Sequence, residues 1–554
     1  MNSTFPLLWV LKRIRRRVPA LILLILSSAA SAVLGVAFAL GSRNVIDTAV
    51  AGNRDHFLTA CLVQGCIILA TLFCATLSRH LTERLKADLD RDWKQDLLHG
   101  LLQGDYASVS QYHSGELINR LNNDVRITDD GLVSALPHVV SMVVRLVCAL
   151  LVMTVLEPWF TLVIFVAGVV VIIATTFLRR HLKAMHKRVS EKDGLVSSFL
   201  QECLEKLLLV QAMDVSQEME RRADDLLQQR YEMQRKRKNV SLFANTSVNI
   251  MSYGAGFLAL VWCSANLLRG QMSFGSLTAV IQLVNQLQSP FTGLSAALPQ
   301  YIAMNAAAER LMELENIPQE AEPSQLCAQS IYDRMNGICG ENVVFSYDRD
   351  WVLRGASFCI PKGSFAAITG ASGIGKSTML KLLLGIFKPE SGLLYADCGE
   401  ERIPIDRSSR RLFAYVPQGN LLLSGTLRDN LVIAKPDASE DDIRQAVYVS
   451  AMDEYLHQLP KGLDTVLGES GAGLSEGQAQ RLAIARAILG GAPILLLDEC
   501  TSALDVATEK VVLKRIQALR DRTCIAVTHR PATMELCDLQ LQIQDGQITV
   551  HPLR

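Results

Sequence analysis

The sequence predicts a multi-domain protein, an all-α membrane domain with six helical spans followed by an α/β domain. Two observations predict this division. Apolar residues form long runs before residue 300, and from about Met335 short β-branched runs alternate with amphipathic helices. Hydrophobic residues make up 49% of the 554 residues, and the mean hydropathy of +0.22 is high for a soluble protein of this size. We expect residues 1–315 to form the membrane domain, 316–334 a linker and 335–554 the α/β domain.

Six apolar stretches are long enough to cross a bilayer, which takes about 20 mostly apolar residues. They are Val18–Gly41, Phe57–Ser78, Ala135–Leu156, Phe160–Leu178, Leu242–Leu268 and Ser276–Leu298. Basic residues, among them Lys12 and Arg13, precede the first stretch and predict a cytoplasmic N-terminus. An even number of spans returns the chain to the cytoplasm before the α/β domain begins.

The second-to-third and fourth-to-fifth connections are long, charged and helical in pattern, so we expect the spans to continue into the cytoplasm. Each connection contains a break, at Tyr106–Glu116 and Glu205–Asp214, where a short helix can turn across the tip. The simpler interpretation is a pair of plain helical hairpins. Because hairpins of this length would be poorly supported in isolation, we expect a cytoplasmic surface to pack against them.

Charge and cysteine usage exclude two classes of protein. Lys plus Arg equals Asp plus Glu at 55 each, so no overall basic field attracts nucleic acid. The six spans also exclude a soluble ATPase acting on nucleic acid. The 13 cysteines show no CxxC pair and no Cys/His ligand spacing. We therefore expect small buried thiols in a reducing compartment and no disulfides.

A phosphate-binding loop follows an apolar strand in "FAAITGASGIGKST" and leads into an amphipathic helix. The glycines let backbone N–H groups close around phosphate oxygens, and the helix N-terminus adds partial positive charge. Lys376 is placed for the β- and γ-phosphates of ATP, and Ser377 for Mg²⁺. The expected ATP-binding loop consists of Gly370, Ala371, Ser372, Gly373, Ile374, Gly375, Lys376, Ser377 and Thr378.

Two acids end a second apolar strand in "APILLLDECTSALD". Asp498 can hold Mg²⁺ beside the phosphate loop, and Glu499 can polarise the water that attacks the γ-phosphate. Taken alone, such a pair could be a solvated strand end, but the preceding loop makes that interpretation the weaker one. The strand in "TCIAVTHR" ends at His529. A lone histidine there is more often structural, so its role depends on the resemblance described next.

The motifs occur in the order of an ATP-binding cassette: Gly370–Ser377, Gln418 in "AYVPQGN", "LSEGQ", "LLLDE", Ser502–Asp505 and His529. With six preceding spans and two long cytoplasmic connections, the chain resembles an exporter-type ABC half-transporter over nearly its whole length. The resemblance implies a P-loop ATPase that hydrolyses ATP to ADP and phosphate to drive transport.

The resemblance also implies a dimer, because two cassettes of this family sandwich two ATP molecules head to tail. The signature segment of one copy then faces the phosphate loop of the other, with Ser475 and Gly477 at the γ-phosphate. Such a helix start suits an anion on physical grounds as well. The expected contacts with the partner's ATP are Leu474, Ser475, Glu476, Gly477 and Gln478.

Further roles follow from the same resemblance. Tyr347 matches the aromatic residue that stacks on adenine, and Gln418 the residue that senses Mg²⁺ and the attacking water. Glu499 matches the catalytic base, His529 the switch residue at the γ-phosphate, and Asp505 the residue that links the two ATP sites.

The implied Mg²⁺ ligands are Ser377, Gln418 and Asp498. Glu476 departs from the family pattern because glycine usually occupies the middle of the signature, and its cost is small if the side chain points away from ATP. The chain also stops soon after its last strand, without the helical tail common in relatives, and leaves no room for an N-terminal peptidase domain. Intact Glu499 and His529 favour a homodimer, although a heterodimer with a degenerate partner remains open.

Polar residues inside the predicted spans are candidate substrate contacts, because such residues usually face protein or a water-filled cavity. Hydrogen bonding between helices is an equally good interpretation for the amides, and pairing with an acid or reaching the interface for the arginine. The candidates are Arg145, Asn245, Asn249, Gln282, Asn285 and Gln286.

We therefore expect ATP-driven export or flipping of an amphipathic substrate by alternating access. Import by an exporter-type fold, for example of a metal-chelate ligand, is the competing transport hypothesis. An ATP-gated channel or regulator is disfavoured by the intact hydrolytic residues. A multi-pass protein of this form, in contact with membrane lipid, is typical of bacterial plasma membranes. Drug, lipid, peptide and siderophore all remain open as substrates.

Overall fold

The computed structural model describes residues 6–322, 327–347, 350–419, 422–468, 473–519 and 521–553. Side chains at 7, 171–184, 186, 187, 190, 244, 245, 248, 252, 288, 289, 291, 292 and 294–298 lie outside the described set. Two compact units are present, one of residues 1–101 and 113–316 and one of residues 102–112 and 317–554.

The first unit is helical, and each predicted span lies within one helix except the third, whose first residue, Ala135, ends a π-helical turn that leads into its helix. The helices up to residue 315, in chain order, are α1 Pro6–Arg13, α2 Val18–Val50, α3 Arg54–Gln103, α4 Tyr106–Val109, α5 Ser114–Asn119, α6 Val125–Asp129, α7 Leu136–Leu156, α8 Pro158–Glu205, α9 Leu207–Ala212, α10 Ser216–Leu268 and α11 Phe274–Glu315. Helical turns of the wider π type, Arg120–Asp124 and Asp130–Ala135, flank α6.

Within the described part of the chain, four helices are long and apolar enough to cross a membrane. They are Val18–Val50, Arg54–Gln103, Ser114–Leu156 and Asn249–Leu268. A shorter apolar helical stretch, Pro158–Val170, falls on the predicted fourth span.

The apolar core of this unit lies where α2, α7, α8, α10 and α11 meet. Ala39, Ala149 and Ala259 are completely buried there. Such small residues let helices approach closely, as is usual between membrane helices. Beyond the apolar stretch, the guanidinium of Arg310 forms an ion pair with the buried Asp124 carboxylate at 2.6 Å.

The tip of the first cytoplasmic connection belongs to the second unit. Asp105 caps α4, and its backbone N–H donates to the Pro318 carbonyl at 2.8 Å. The Tyr106 ring meets the Phe387 ring edge-on, with centroids 5.9 Å apart. The tip of the second connection, α9, contains no buried residue among its six.

The second unit is an α/β domain. Its helices are α12 Ala328–Arg334, α13 Lys376–Leu383, α14 Leu427–Val432, α15 Glu440–Val449, α16 Asp453–Gln458, α17 Glu476–Leu489, α18 Val506–Gln517 and α19 Pro531–Met534. Its strands are β1 Gly337–Tyr347, β2 Asp350–Pro361, β3 Phe365–Thr369, β4 Ser391–Cys398, β5 Glu401–Pro404, β6 Phe413–Val416, β7 Gly425–Thr426, β8 Val466–Leu467, β9 Ile494–Asp498, β10 Thr523–Val527, β11 Leu539–Gln544 and β12 Gln547–Pro552.

The central sheet has the strand order β12-β11-β3-β10-β9-β6, with β11, β3, β10, β9 and β6 parallel. Strands β3, β9 and β10 are short apolar runs that are buried almost throughout, as expected of a sheet covered on both faces. An antiparallel sheet, β2-β1-β4-β5, packs over one apolar core, and most of the helices pack over the other. Because parallel strands point the same way, the residues after β3, β9 and β10 meet at one edge.

The expectation that all cysteines are reduced is wrong for one pair. Cys339 of β1 and Cys359 of β2 are joined by a disulfide, with Cα atoms 4.1 Å apart. The two residues lie directly opposite each other in the antiparallel register of these strands. Cysteine spacing along the chain does not reveal such a register, which explains the error. The other cysteines are free thiols.

Candidate functional site

The phosphate loop connects the buried strand β3 to α13. Gly370 has φ +152°, and a Cβ there would lie 2.7 Å from the Ile543 carbonyl oxygen, so only glycine fits without a shift. The Lys376 ammonium is largely buried and donates to the carbonyls of Gly370 and Ala371 at 3.1 and 2.9 Å. A buried cation inside a loop of this shape is placed to meet phosphate oxygens.

The Asp498 carboxylate ends β9 and is 2% exposed. It accepts hydrogen bonds from Ser377 Oγ at 3.0 Å and from the Tyr415 hydroxyl at 3.1 Å. Burial raises the pKa of Asp498, and these two hydrogen bonds oppose the rise. Carboxylate and hydroxyl oxygens of this kind are ligands that Mg²⁺ prefers. Tyr415 was not among the predicted site residues, although the sequence places it on the strand that leads to Gln418.

Glu499 follows directly and has a left-handed backbone, with φ +46°. Non-glycine residues in this conformation cluster at functional sites. Gln418 Nε2 donates to Glu499 Oε2 at 2.9 Å, and His529 Nε2 lies 3.9 Å from Glu499 Oε1. The parallel pairing of β9 with β10 places the residues after each strand side by side. All three predicted catalytic residues therefore come together.

The predicted signature segment opens α17, away from the phosphate loop. Ser475 caps the helix by accepting from Gln478 N at 3.3 Å, and its own N–H donates to Gln478 Oε1 at 2.8 Å. Ser475 and Glu476 are exposed, whereas a Cβ on Gly477 would approach the Ala503 carbonyl oxygen to 2.8 Å. Between the described residues, no hydrogen bond joins this segment to residues 370–378.

Tyr347 and Asp505 occupy the flanks of the site. The Tyr347 hydroxyl shares a hydrogen bond of 3.2 Å with Thr378 Oγ1, and its half-exposed ring meets Phe387 edge-on. Asp505 caps α18 by accepting from the backbone and side chain of Thr508, which lowers the pKa of this carboxyl. Tyr347 thus borders the phosphate loop, and Asp505 ends the turn that follows Glu499.

The candidate substrate residues differ in burial and in hydrogen bonding. Arg145 Nε, Gln282 Oε1 and Gln286 Oε1 are buried and have no hydrogen-bond partner within the described part of the chain. Gln286 Nε2 donates to the Gly35 carbonyl of α2 at 2.8 Å. Asn249 and Asn285 are exposed, and the Asn245 side chain lies outside the described set.

A cavity of about 790 Å³ lies within the helical unit. None of the six candidates lines it. Hydroxyl groups such as those of Ser78 and Ser141 line it together with the Lys86–Asp130 ion pair, whose Nζ and Oδ1 atoms are 2.6 Å apart. A smaller cavity of about 250 Å³ includes Gln286 and Thr71.

Comparison with known proteins agrees with the motif order and the two-unit architecture. The family model described as ABC transporter transmembrane region matches residues 21–291, and the model described as ABC transporter matches residues 353–502. The ATP-dependent lipid A-core flippase of Photobacterium profundum is 30% identical over 441 residues, which cover 78% of this chain and 74% of the flippase. The chain belongs to the ABC transporters of the exporter type.

Two further relatives define the range of this similarity. The mycobactin import ATP-binding/permease protein IrtB of Mycobacterium tuberculosis is 36% identical over 284 residues, 50% of this chain and 48% of IrtB. A solved bacterial Atm1-family ABC exporter with ATP bound has the same fold, with a TM-score of 0.78 at 24% identity. It is matched over 97% of this transporter and 94% of that chain.

These findings confirm the predicted family and fold class, a transmembrane helical domain followed by an ABC ATPase domain. They also confirm an ATPase coupled to transport. The transporter is embedded in a membrane, binds ATP and performs ATP-driven export, and its half-transporter organisation implies dimerisation. Import is the weaker alternative, because the importing relative matches over only half of its length.

Proposed function

We propose that two copies of this transporter form a head-to-tail homodimer that hydrolyses ATP at two shared sites and exports an amphipathic substrate across the bacterial plasma membrane. One observation carries the proposal. The phosphate loop, Asp498, Glu499 and His529 lie together at one sheet edge, whereas the exposed helix start at Ser475 has no hydrogen bond to that loop among the described residues. A second copy supplies the missing half of each site.

The exposed tip of the second cytoplasmic connection, α9, is a second argument for a dimer. Leu207, Leu208, Leu209 and Met213 are 48%, 82%, 53% and 63% exposed. An apolar surface of this kind in a water-facing position indicates a protein partner. The tip of the first connection, α4, already packs within the α/β unit of its own chain through Tyr106. We assign the cover of α9 to the α/β domain of the partner.

At each shared site we assign catalysis to residues of one copy and closure to the other. Glu499 accepts a proton from the attacking water. Gln418 donates to one of its carboxylate oxygens, and His529 lies beside the other, where it would contact the γ-phosphate. Ser377, Gln418 and Asp498 would hold Mg²⁺, which neutralises charge on the phosphates when bound. Tyr347 would stack on adenine. The segments 370–378 and 474–478 would bind the phosphates from opposite sides, with Asp505 between the two sites.

The substrate proposal depends on the membrane domain. Buried polar atoms at Arg145, Gln282 and Gln286 have no partner in the described part of the chain and are available to an incoming polar group. An amphipathic molecule presents such a group together with an apolar part that membrane helices accept. Asn245, Asn249 and Asn285 remain candidates for the same role. The N-terminus and the α/β domain are assigned to the cytoplasm, and residues 1–315, 316–334 and 335–554 to membrane domain, linker and cassette.

The first test is ATP turnover by the purified transporter alone in lipid nanodiscs. Glu499→Gln removes the proton acceptor, so turnover should fall by at least about 100-fold while ATP binding persists. Glu400→Gln makes the same chemical change at an exposed turn and should leave turnover unchanged. Activity of the native chain that Glu499→Gln abolishes would establish a self-sufficient homodimer. A native chain that binds ATP without turnover would refute the homodimer and point to a partner subunit.

Direction is tested in proteoliposomes that contain inside-out transporter. Export predicts ATP-dependent accumulation of substrate in the lumen, and import predicts its depletion. Movement that only dissipates a gradient would contradict both and indicate a channel.

A further inference from the structure

The turn Ser502–Leu504 lies between the catalytic Glu499 and Asp505. Its backbone is tightly folded, since Ser502 N donates to the Glu499 carbonyl and Leu504 N to the Thr501 carbonyl, both at 3.1 Å. Two side chains from distant parts of the sequence hold it from outside, Gln480 of α17 and Arg530 next to His529.

Gln480 holds the turn with both ends of its amide. Its Nε2 donates to Ser502 Oγ at 2.9 Å, and its Oε1 accepts from Ala503 N at 3.0 Å. The side chain is 4% exposed. The backbone of α17 at Gly477 also lies directly against the Ala503 carbonyl. The start of the signature helix and the turn after Glu499 therefore form one rigid contact.

Arg530 holds the same turn from the opposite side. Its Nη1 donates to the Leu504 carbonyl at 3.0 Å and to Glu509 Oε2 at 2.8 Å, and its Nη2 donates to the Ser502 carbonyl. Glu509 is 1% exposed. Its second oxygen accepts from the hydroxyls of Thr501 and Thr533. Both oxygens of the buried Glu509 carboxylate thus accept hydrogen bonds, and the half-buried Arg530 ties this carboxylate to the turn.

We propose that Gln480 and Arg530 are positioning residues that couple the two ATP sites of the dimer through the turn Ser502–Leu504. This inference rests on the proposed head-to-tail dimer. There, ATP held by the partner's loop presses on the start of α17, and Gln480 transmits the movement to the turn that follows Glu499. Arg530 transmits the same movement to His529.

Stability alone does not explain this arrangement. Burying an amide or an ion pair costs desolvation, and an apolar side chain of similar size often packs as well or better. Four hydrogen bonds from two side chains converge on one three-residue turn between two site residues. Such convergence fixes the position of that turn, which is what coupling between rigid elements requires.

The test compares Gln480→Met with the native transporter in nanodiscs. Methionine keeps the length of the side chain and removes both hydrogen bonds. The native chain should show a Hill coefficient above 1 for ATP. In the variant we expect maximal turnover about 10-fold lower and a Hill coefficient near 1, a coupling loss within the usual range. Binding of a fluorescent ATP analogue to the phosphate loop should stay within about twofold, because the variant leaves residues 370–378 untouched.

Ser502→Ala and a matched control separate positioning from mere packing. Ser502→Ala removes one of the two hydrogen bonds, and adding it to Gln480→Met should cause little further loss, because both changes delete the same contact. Asn430→Leu is the control. Asn430 is also a buried amide with both ends paired, to Leu423 and Thr426 in another loop. It should lower the melting temperature and leave the Hill coefficient unchanged.

Arg530 needs a companion substitution, because Arg530→Met alone leaves Glu509 charged and buried, which destabilises the domain. Arg530→Met with Glu509→Gln removes both charges. We expect this double variant to fold, to bind ATP and to lose cooperativity.

Unchanged cooperativity in Gln480→Met would overturn the inference, and so would parallel loss of ATP binding and turnover, which marks a structural residue. Absence of turnover in the native chain would instead refute the proposed homodimer. The two failures are therefore distinguishable.

Discussion

At the ATP site, the buried carboxylate of Asp498 accepts hydrogen bonds from Ser377 and Tyr415. In the membrane domain, by contrast, the Nε of Arg145 and the Oε1 of Gln282 are buried with no hydrogen-bond partner in the described part of the chain. Both regions bury polar groups between apolar elements. The Asp498 carboxylate is satisfied internally, whereas these two atoms of the membrane domain have no partner among the described residues.

The difference reflects what each region does. Hydrolysis requires groups held in one geometry before ATP arrives, so each side chain is fixed by a neighbour. A transport pathway must release its cargo, and a polar group already paired within the protein would have nothing to offer it. Buried polar atoms without partners are costly, which favours a ligand or water as their partner during the cycle.

Gly370→Ala should disrupt the prearranged site most strongly. The added Cβ would lie 2.7 Å from the Ile543 carbonyl oxygen, in a backbone conformation that favours glycine. The loop must shift, and we expect ATP affinity to fall by at least about 10-fold. Titration with a fluorescent ATP analogue measures the change. Gly399→Ala also places alanine at a positive φ, +84°, but in an open turn where nothing lies within 4 Å of the added Cβ. It should retain ATP affinity, and equal losses in both variants would contradict the steric explanation.

Tyr415→Phe should move the acidic limb of the pH profile. The Tyr415 hydrogen bond lowers the pKa of Asp498 against the larger effect of burial. Its removal raises that pKa further, so the carboxylate becomes protonated, and unable to hold a cation, at a higher pH. We expect turnover measured from about pH 5 to pH 8 to decline at a higher pH in the variant. Tyr395→Phe removes a hydroxyl bonded to Glu341 elsewhere in the domain and should leave the profile in place. Identical pH profiles of turnover for the native protein, Tyr415→Phe and Tyr395→Phe would show that Tyr415 has no role at the site.

Arg145→Ala should leave basal ATP turnover intact and weaken its stimulation by substrate about 3- to 10-fold, the loss expected for one typical hydrogen bond. The measurement is turnover in nanodiscs against substrate concentration. Lys86→Ala is the charge-matched control, because Lys86 lines the larger cavity and is already paired with Asp130. If only Lys86→Ala lost the stimulation, the substrate would bind in that cavity and not at Arg145.

Asp442→Asn should have the smallest effect, far from both sites. Asp442 accepts from Lys435 and caps α15, and these contacts lower the pKa of its carboxyl. A lowered pKa means that its stabilising effect is present above the usual range of an aspartate and is lost as the pH falls through the lowered value. Amide hydrogen exchange in α15 of the intact transporter should accelerate about two- to fivefold at neutral pH, and the difference should shrink in acid.

The control for this change is Asp441→Asn, which removes a highly exposed ion pair with Arg444. It should alter exchange less than Asp442→Asn does. A larger effect at Asp441 would show that the cap contributes nothing measurable.

Motifs whose chemistry depends on local backbone conformation were predictable. The strand–turn–helix at Gly370–Thr378, the acids ending β9 and the signature at the start of α17 all lie where the sequence predicts them. The contacts of these residues over long sequence separations were not. Tyr415 and Asp498, or Gln480 and Ser502, meet because strands and helices pack in a particular register, which no spacing along the chain encodes.

The sequence by itself determined the family, the two-part fold and the ATP-binding segments, because apolar runs and glycine-rich turns act within a few residues of themselves. Only the tertiary structure decided the cross-strand disulfide between Cys339 and Cys359. The same holds for the contacts of Gln480 and Arg530 with the turn Ser502–Leu504. It also holds for Arg145, whose buried Nε has no partner in the described part of the chain. Each of these is set by which elements become neighbours. Which helices and strands become neighbours depends on burying apolar surface over the whole chain, so no short stretch of sequence determines it.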